Sequence, residues 1–337
     1  MQKMTWLIWF LTAMFITGSA EAYTKEEVVK RGRLLCGVST GTPGFSSVDA
    51  DGNWTGMDVD ICRAVAVAIF GNPSKVEYLP YAEGESFSAL ITGEVDILSS
   101  HSSWTLTRES GLAVHFAGVS YYDGQGFMVP KKLLVKSPLD LKKVKVCGPV
   151  GSQSEPNLID YLETNRLEYR IVPYETLELA VKGFEKEDCD LLSLPKSQLY
   201  GLRLGLTDPE SAVVLPEVIT KEALGPVVRE GDDIWLNIVT WSLYAMINAE
   251  ELGVTSRSAE ELQVSNKLDV RRLFGLEGAP GKSLGLKDDW AYQIIRQVGN
   301  YGEVFERNFG PKTLLNIDRG LNNLWNKGGL QYAPPFR

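Results

Sequence analysis

Ser99, Ser100, His101, Ser102, Ser103, Trp104, Thr105, Leu106, Thr107 and Arg108 form one uninterrupted run, with six hydroxyl side chains, a histidine and an arginine. It follows the apolar stretch Val95–Leu98. Hydroxyls and backbone amides at such a place donate hydrogen bonds to an anion. An arginine adds a planar fork of parallel donors that matches a carboxylate. A second run, Gly148-Pro149-Val150-Gly151-Ser152-Gln153-Ser154-Glu155-Pro156, joins an expected strand to an expected helix. The start of a helix leaves amide N–H groups unpaired and carries partial positive charge, so it too receives anions. Ser154 is expected as the cap. That places Pro156 in the first turn, where its missing N–H costs little. Solvated polar turns with ordinary capping are the plainer account of both runs.

Three other patterns lack their structural context. Gly37-Val38-Ser39-Thr40-Gly41 has the spacing of a nucleophile elbow, but Thr42-Pro43-Gly44 breaks the helix that must follow. Ser193-Leu194-Pro195-Lys196 fits S-x-x-K without its companion motifs. The stretch Gly275 to Ser283 misses phosphate-loop spacing by one residue.

The elements that must position the two runs alternate between strand and helix. Leu34 to Val38 is a strand, and Asp51-Gly52 marks a hairpin turn. Asp58 and Asp60 open a helix that Gly71 closes. Val76 to Leu79 is a strand, Phe87 to Ile91 a helix and Val95 to Leu98 a strand. The pattern restarts with strand Val144–Cys147, a helix through Leu162, strand Tyr169–Val172, helix Leu177–Phe184 and strand Leu191–Leu194. Ile234 to Ala249, Trp290 to Arg307 and Leu315 to Trp325 read as helices. Such alternation predicts an α/β fold of mainly parallel sheets covered by helices. The expected division is lobe 1 over 23–129 and 225–337, and lobe 2 over 130–224. Phe127–Val129 and Pro226–Val228 would be the two hinge crossings. With one anion-ready run per lobe, this predicts a cleft that closes on a small anionic ligand.

The bulk composition agrees. The 337 residues exceed one ordinary core. A net charge of −9 argues against nucleic acid and anionic membranes as partners. Two histidines exclude sites with three histidine ligands. The first 22 residues read as a cleaved export signal: Lys3, an apolar run from Trp6 to Ile16, then Ala20-Glu21-Ala22. Four cysteines without a C-x-x-C pair favour two disulfides in an exported protein over a metal site. Three pairings are possible. Cys36–Cys62 with Cys147–Cys189 keeps each bridge inside one lobe, and free buried thiols are the alternative. No cofactor is expected.

Several stretches together are highly specific. They include Gly52-Asn53-Trp54-Thr55-Gly56-Met57-Asp58-Val59-Asp60, Trp104-Thr105-Leu106 with Arg108, and Tyr121-Tyr122-Asp123-Gly124-Gln125-Gly126-Phe127-Met128-Val129. Leu224-Gly225-Pro226-Val227-Val228-Arg229, Gly299-Asn300-Tyr301-Gly302-Glu303 and Lys327-Gly328-Gly329-Leu330-Gln331-Tyr332-Ala333-Pro334-Pro335 continue the match. Over nearly all of residues 30–337 the chain resembles the periplasmic amino-acid-binding proteins of ABC transporters, solute-binding family 3, in their general L-amino-acid branch. That branch also carries cysteines at the four positions of this chain.

The resemblance implies a type II clamp, monomeric by default, that hands a small carboxylate ligand to an inner-membrane ABC permease from the periplasm. It implies that Arg108 grips the ligand carboxylate, aided by Ser103, with backbone groups from His101. Gly151, Ser152 and Gln153 would contribute at the second lobe's helix start, and Phe45 would lie over the ligand. Members of the family usually follow the last strand of lobe 2 with an acidic residue that pairs with the ligand ammonium. Here that position is Pro195, beside Lys196 of the wrong sign. Two readings of the ligand therefore stand: an L-amino acid, or an organic acid without an α-amino group. A dehydratase-like enzyme on the same fold and a receptor-signalling binding protein are the readings from other classes.

Overall fold

The computed structural model describes residues 24–149 and 154–337. The expected export signal and residues Gly151, Ser152 and Gln153 lie outside the described residues.

The first part of the chain builds α1 (Thr24–Arg31), β1 (Leu34–Ser39), β2 (Ser47–Val48), β3 (Trp54–Thr55) and α2 (Met57–Phe70), then β4 (Val76–Tyr81), α3 (Glu83–Ile91) and β5 (Ile97–Ser103). It continues through α4 (Leu106–Gly111), β6 (Val114–Phe116) and β7 (Tyr121–Asp123). The β2–β3 hairpin turns at Asp51-Gly52 as expected, with Gly52 at φ +83°. Asp58 and Asp60 sit in the first turn of α2, where negative charge complements the helix dipole. Gly71 ends that helix in the left-handed conformation, its N–H donating to the Val67 carbonyl.

The chain then crosses into β8 (Gln125–Pro130), β9 (Lys143–Pro149), α5 (Glu155–Thr164), β10 (Glu168–Tyr174), α6 (Leu177–Glu185), β11 (Leu191–Pro195), α7 (Lys196–Leu204) and β12 (Ala212–Val214). It returns through β13 (Glu222–Arg229) to α8 (Asp233–Glu251), α9 (Leu268–Leu273), α10 (Trp290–Gln297) and α11 (Tyr301–Asn308).

Two sheets organise these elements. The first has the order β4-β1-β5-β13-β6, with β7 also pairing β13. In it β1 runs parallel to β4 and β5, while β13 runs antiparallel to its neighbours. The second has the order β10-β9-β11-β8-β12, with β9 parallel to β10 and β11 and β8 antiparallel. The largest core lies between the first sheet and helices α2, α8, α10 and α11, filled by Trp235, Trp290, Tyr301, Phe305 and Phe309. Met128, Leu192 and Phe184 pack on one face of the second sheet; Phe127, Val146 and Leu191 pack on the other. Cys36 is bonded to Cys62, tying β1 to α2, and Cys147 is bonded to Cys189, tying β9 to the approach to β11.

The change-over between sheets differs from the expected one. Phe127–Val129 lie within β8 of the second sheet, and β13 already belongs to the first sheet at Glu222. The crossings therefore fall at Gly124 and beside Thr220, ahead of the expected positions. There the two chain segments touch. Gln125 N–H donates to Thr220 Oγ1 at 2.9 Å, and a Cβ on Gly124 would lie 2.4 Å from the Thr220 carbonyl oxygen. Only glycine permits that approach.

Two expected helices also differ. Trp290 to Arg307 is broken into α10 and α11, because Gly299 takes φ +102° and Asn300 with Glu303 forms a capping box that starts a new helix. Leu315 to Trp325 is not an α-helix. Asn316 and Gly320 take positive φ, and the segment holds the short 3-10 turn Gly320–Asn322 and the start of another, Trp325–Lys327. It is clipped to the first crossing, with Asn322 accepting from the Tyr122 N–H at 2.7 Å and donating to the Tyr122 carbonyl at 3.0 Å. Among the described residues, no helix is long and apolar enough to cross a membrane.

Candidate ligand-binding site

The run Ser99–Arg108 is not a polar turn. Ser99 to Ser103 continue β5, because β13 supplies backbone partners: Gly225 faces Ser102 and Leu224 faces Ser103. Trp104 N–H then donates to the Ala223 carbonyl at 2.8 Å, and Thr105 caps the short helix α4, its hydroxyl accepting from Arg108 N–H. Trp104 stacks on Phe116 with centroids 5.3 Å apart, which fixes the start of α4.

Arg108 is thereby held over the strand end. Its Nη1 donates to the Ser103 carbonyl at 3.1 Å, and its guanidinium lies 5.3 Å from the centre of the Phe87 ring. Ser103 in turn donates its hydroxyl to Glu222 Oε2 at 3.4 Å.

His101 takes φ +42°, a left-handed conformation uncommon for residues other than glycine. Two contacts hold it there. Its Nδ1 lies 3.2 Å from Asp58 Oδ2, and its ring centre is 4.7 Å from that of Phe45. Asp58 is buried and also accepts from the Ser99 hydroxyl. A carboxylate offers only acceptors, so Nδ1 is the donor and the ring is fixed from behind. Phe45 is 1% exposed, packed edge-on against Tyr121 and Phe309. It does not line the cavity described next, in contrast to the expected place over a ligand. The reason is local: Thr42 and Ser46 exchange backbone hydrogen bonds, and this tight turn tucks the Phe45 side chain into the core behind His101.

Arg108, Ser103 and His101 line one cavity of about 300 Å³ between the two sheets. From the first lobe it also takes Ser39, Thr40, Thr42 and Tyr81; from the second, Pro195, Ser197 and Gln198. Asp123 and Glu222, on the paired strands β7 and β13, line it too. Most of the lining residues are polar, and they carry both signs of charge. Pro195 caps the start of α7 and does face this space, so the position the resemblance singled out is on the cavity wall.

Asp123 accepts from the Ser197 hydroxyl at 2.5 Å and from the Ser197 amide. Burial pushes its carboxyl above the usual carboxylate range, partly offset by the Ser197 hydroxyl. Burial also lowers the Lys196 ammonium, whose Nζ donates to the Pro216 carbonyl.

Asp123 and Glu222 were not singled out from sequence. Each stands four residues ahead of an expected crossing, and an acidic residue close to each was the available signal. A larger cavity of about 570 Å³ lies elsewhere on the first lobe, among Trp241, Trp290 and Phe336. None of the expected site residues that the structure describes lines it, so volume alone does not mark the site.

Residues 34–258 match the model of the bacterial extracellular solute-binding proteins, family 3. The chain belongs to this family. The general L-amino acid-binding periplasmic protein AapJ of Rhizobium johnstonii is 49% identical over 321 residues, covering 95% of this chain and 94% of its own. The glutamate/glutamine/aspartate/asparagine-binding protein BztA of Rhodobacter capsulatus is 45% identical over 326 residues, covering 96% of each. Among solved structures, an ABC transporter periplasmic binding protein from Brucella ovis with glutathione bound superposes with a TM-score of 0.85. It is 46% identical, covering 94% of this chain and all of that one. The two sheets joined by two crossings are the type II clamp of this solute-binding family.

Proposed function

We propose that this protein is the periplasmic component of an ABC importer and that it captures small α-amino acids in the cavity between its lobes. The observation that carries this reading is the mixed charge of that cavity, which Arg108, Asp123 and Glu222 all line. A zwitterion satisfies both. An acid lacking the amine would satisfy Arg108 and leave the two carboxylates facing a second anion. The names of the relatives point the same way. Glutathione, bound by the Brucella ovis relative, also ends in a free α-amino acid group.

Binding, not turnover, is the proposed activity. Arg108 forks onto the ligand carboxylate, the Ser103 hydroxyl turns from Glu222 to that carboxylate on binding, and His101 presents backbone on a strand end held rigid by Asp58 and Phe45. Gly151, Ser152 and Gln153 would add amide donors from the second lobe. Closure is a rotation about the crossings at Gly124 and Thr220, stabilised by contacts made only when both lobes meet the ligand. The permease then meets the closed form.

The test is a thermal-shift panel on the chain from Tyr23 onward, using L-amino acids, glutathione and the matching des-amino acids. A ligand at about 100 times its Kd adds about 2.7 kcal/mol to the folded state, enough to move the midpoint by several degrees. The reading expects shifts with α-amino compounds alone. Shifts confined to the des-amino acids would replace it with organic-acid capture, for which the proline at position 195 is the supporting feature. Chemical conversion of a cyclic carboxylate would place the chain among enzymes.

A further inference from the structure

We propose that the ligand ammonium is held at the hinge, by Asp123 with Glu222 beside it, and not by the second lobe. This assignment rests on the amino-acid reading above and names the group that makes the site selective for amines.

The pairing of β7 with β13 sets Glu222 directly opposite Asp123. Residues opposed across an antiparallel ladder project from the same face of the sheet. Both of these line the same cavity as Arg108. Like charges opposed in this way repel. Asp123 is only 9% exposed, and its hydrogen-bond donors at Ser197 are neutral. The Lys196 ammonium also favours the charged form of Asp123, but its Nζ is bonded to the Pro216 carbonyl. A carboxylate taken out of water beside neutral donors and a second carboxylate gains most from a cation in direct contact. An ammonium placed against Asp123 relieves both the desolvation and the repulsion.

Spacing also agrees. In an α-amino acid the carboxylate and the ammonium are bonded to the same carbon, so their receptors must adjoin. Ser103 joins them here. Its carbonyl accepts from Arg108 at 3.1 Å and its hydroxyl donates to Glu222 at 3.4 Å. The cationic and acidic halves of the site thus meet at one residue. Among the described residues, the second lobe places no acid on the cavity wall where β11 ends. Pro195 has neither charge nor N–H, and Lys196 turns away to the Pro216 carbonyl. With both anchors on the first lobe and hinge, the open clamp already holds both ends of the backbone of an amino acid, and the second lobe acts on the side chain.

The test is a two-by-two titration by calorimetry: the wild-type chain and Asp123→Asn, each against L-glutamate and glutarate, with L-alanine and propanoate as a second pair. Asparagine keeps an acceptor for Ser197 and removes the charge. The expected result is about a 100-fold loss for the amino acids, with the des-amino acids unchanged or tighter. Glu222→Gln should move in the same direction by about 10-fold, and it carries the test if Asp123→Asn does not fold. Equal loss for both members of a pair overturns the assignment, since that marks a structural role. An undiminished amino-acid affinity in both variants overturns it as well. A wild-type chain that binds no α-amino acid overturns the amino-acid reading itself, and the assignment with it.

Discussion

Replacing Arg108 with methionine removes the carboxylate fork while keeping much of the side chain's apolar stem. Arg108 is half-buried at the cavity wall, with its guanidinium over Phe87 and one nitrogen on the Ser103 carbonyl. A ligand carboxylate held there in a closed cleft is desolvated. Leaving such a charge without its partner costs about 3–5 kcal/mol, and the partial exposure of Arg108 favours the lower figure. That corresponds to a Kd weakened by about 100-fold or more. Arg108→Lys keeps the charge and loses the planar fork, so about a tenfold loss is expected. Calorimetric titration at neutral pH reads both. The primary amide of the same amino acid is the decisive control. It should bind wild type about as weakly as Arg108→Met binds the acid, and the variant should no longer tell acid from amide. A variant that still prefers the acid by the wild-type margin would refute the assignment of Arg108 to the carboxylate.

Three further outcomes follow from the same contacts. Asp60 is buried and accepts from Arg63, Arg307 and Asn308 at 2.9–3.1 Å, so Asp60→Ala should cost about 3 kcal/mol in urea unfolding while leaving ligand affinity little changed. Removing Cys147 and Cys189 together opens a loop spanning 42 positions and should lower stability by about 3–4 kcal/mol, read as a lower melting midpoint without added reductant. Burial raises the Asp123 carboxyl, so the folded chain keeps that proton at a pH where the unfolded chain has lost it. The stabilisation is complete at low pH and is lost as pH rises through the folded value. Unliganded Asp123→Asn should therefore melt at or above wild type near about pH 7, with the difference fading toward about pH 4.

Much of the fold was legible because local signals and global packing agree. Leu34–Ser39 is apolar on both faces, as a parallel strand buried between helix layers must be, and Gly71 stops α2 where a helix end was expected. Both disulfides form the expected pairs. The misreadings share one cause, which is dependence on distant partners. Ser99–Ser103 lacks strand-like alternation and is extended only because β13 pairs with it. The crossing at Gly124 is fixed by Thr220, far along the chain. Leu315–Trp325 has helical periodicity, yet its Asn322 amide is held by the backbone of Tyr122. The same holds at the site. Arg108 and Ser103 share one strand–helix junction, so their partnership was readable. Asp123 and Glu222 become neighbours only through the β7–β13 register.

The most direct test is a crystal structure of the chain with the amino acid that gives the largest thermal shift. The account predicts density in the cavity between the sheets, its carboxylate on the Arg108 guanidinium and its ammonium against Asp123. Density in another cavity, or a ligand reversed so that its carboxylate faces Asp123, would contradict it.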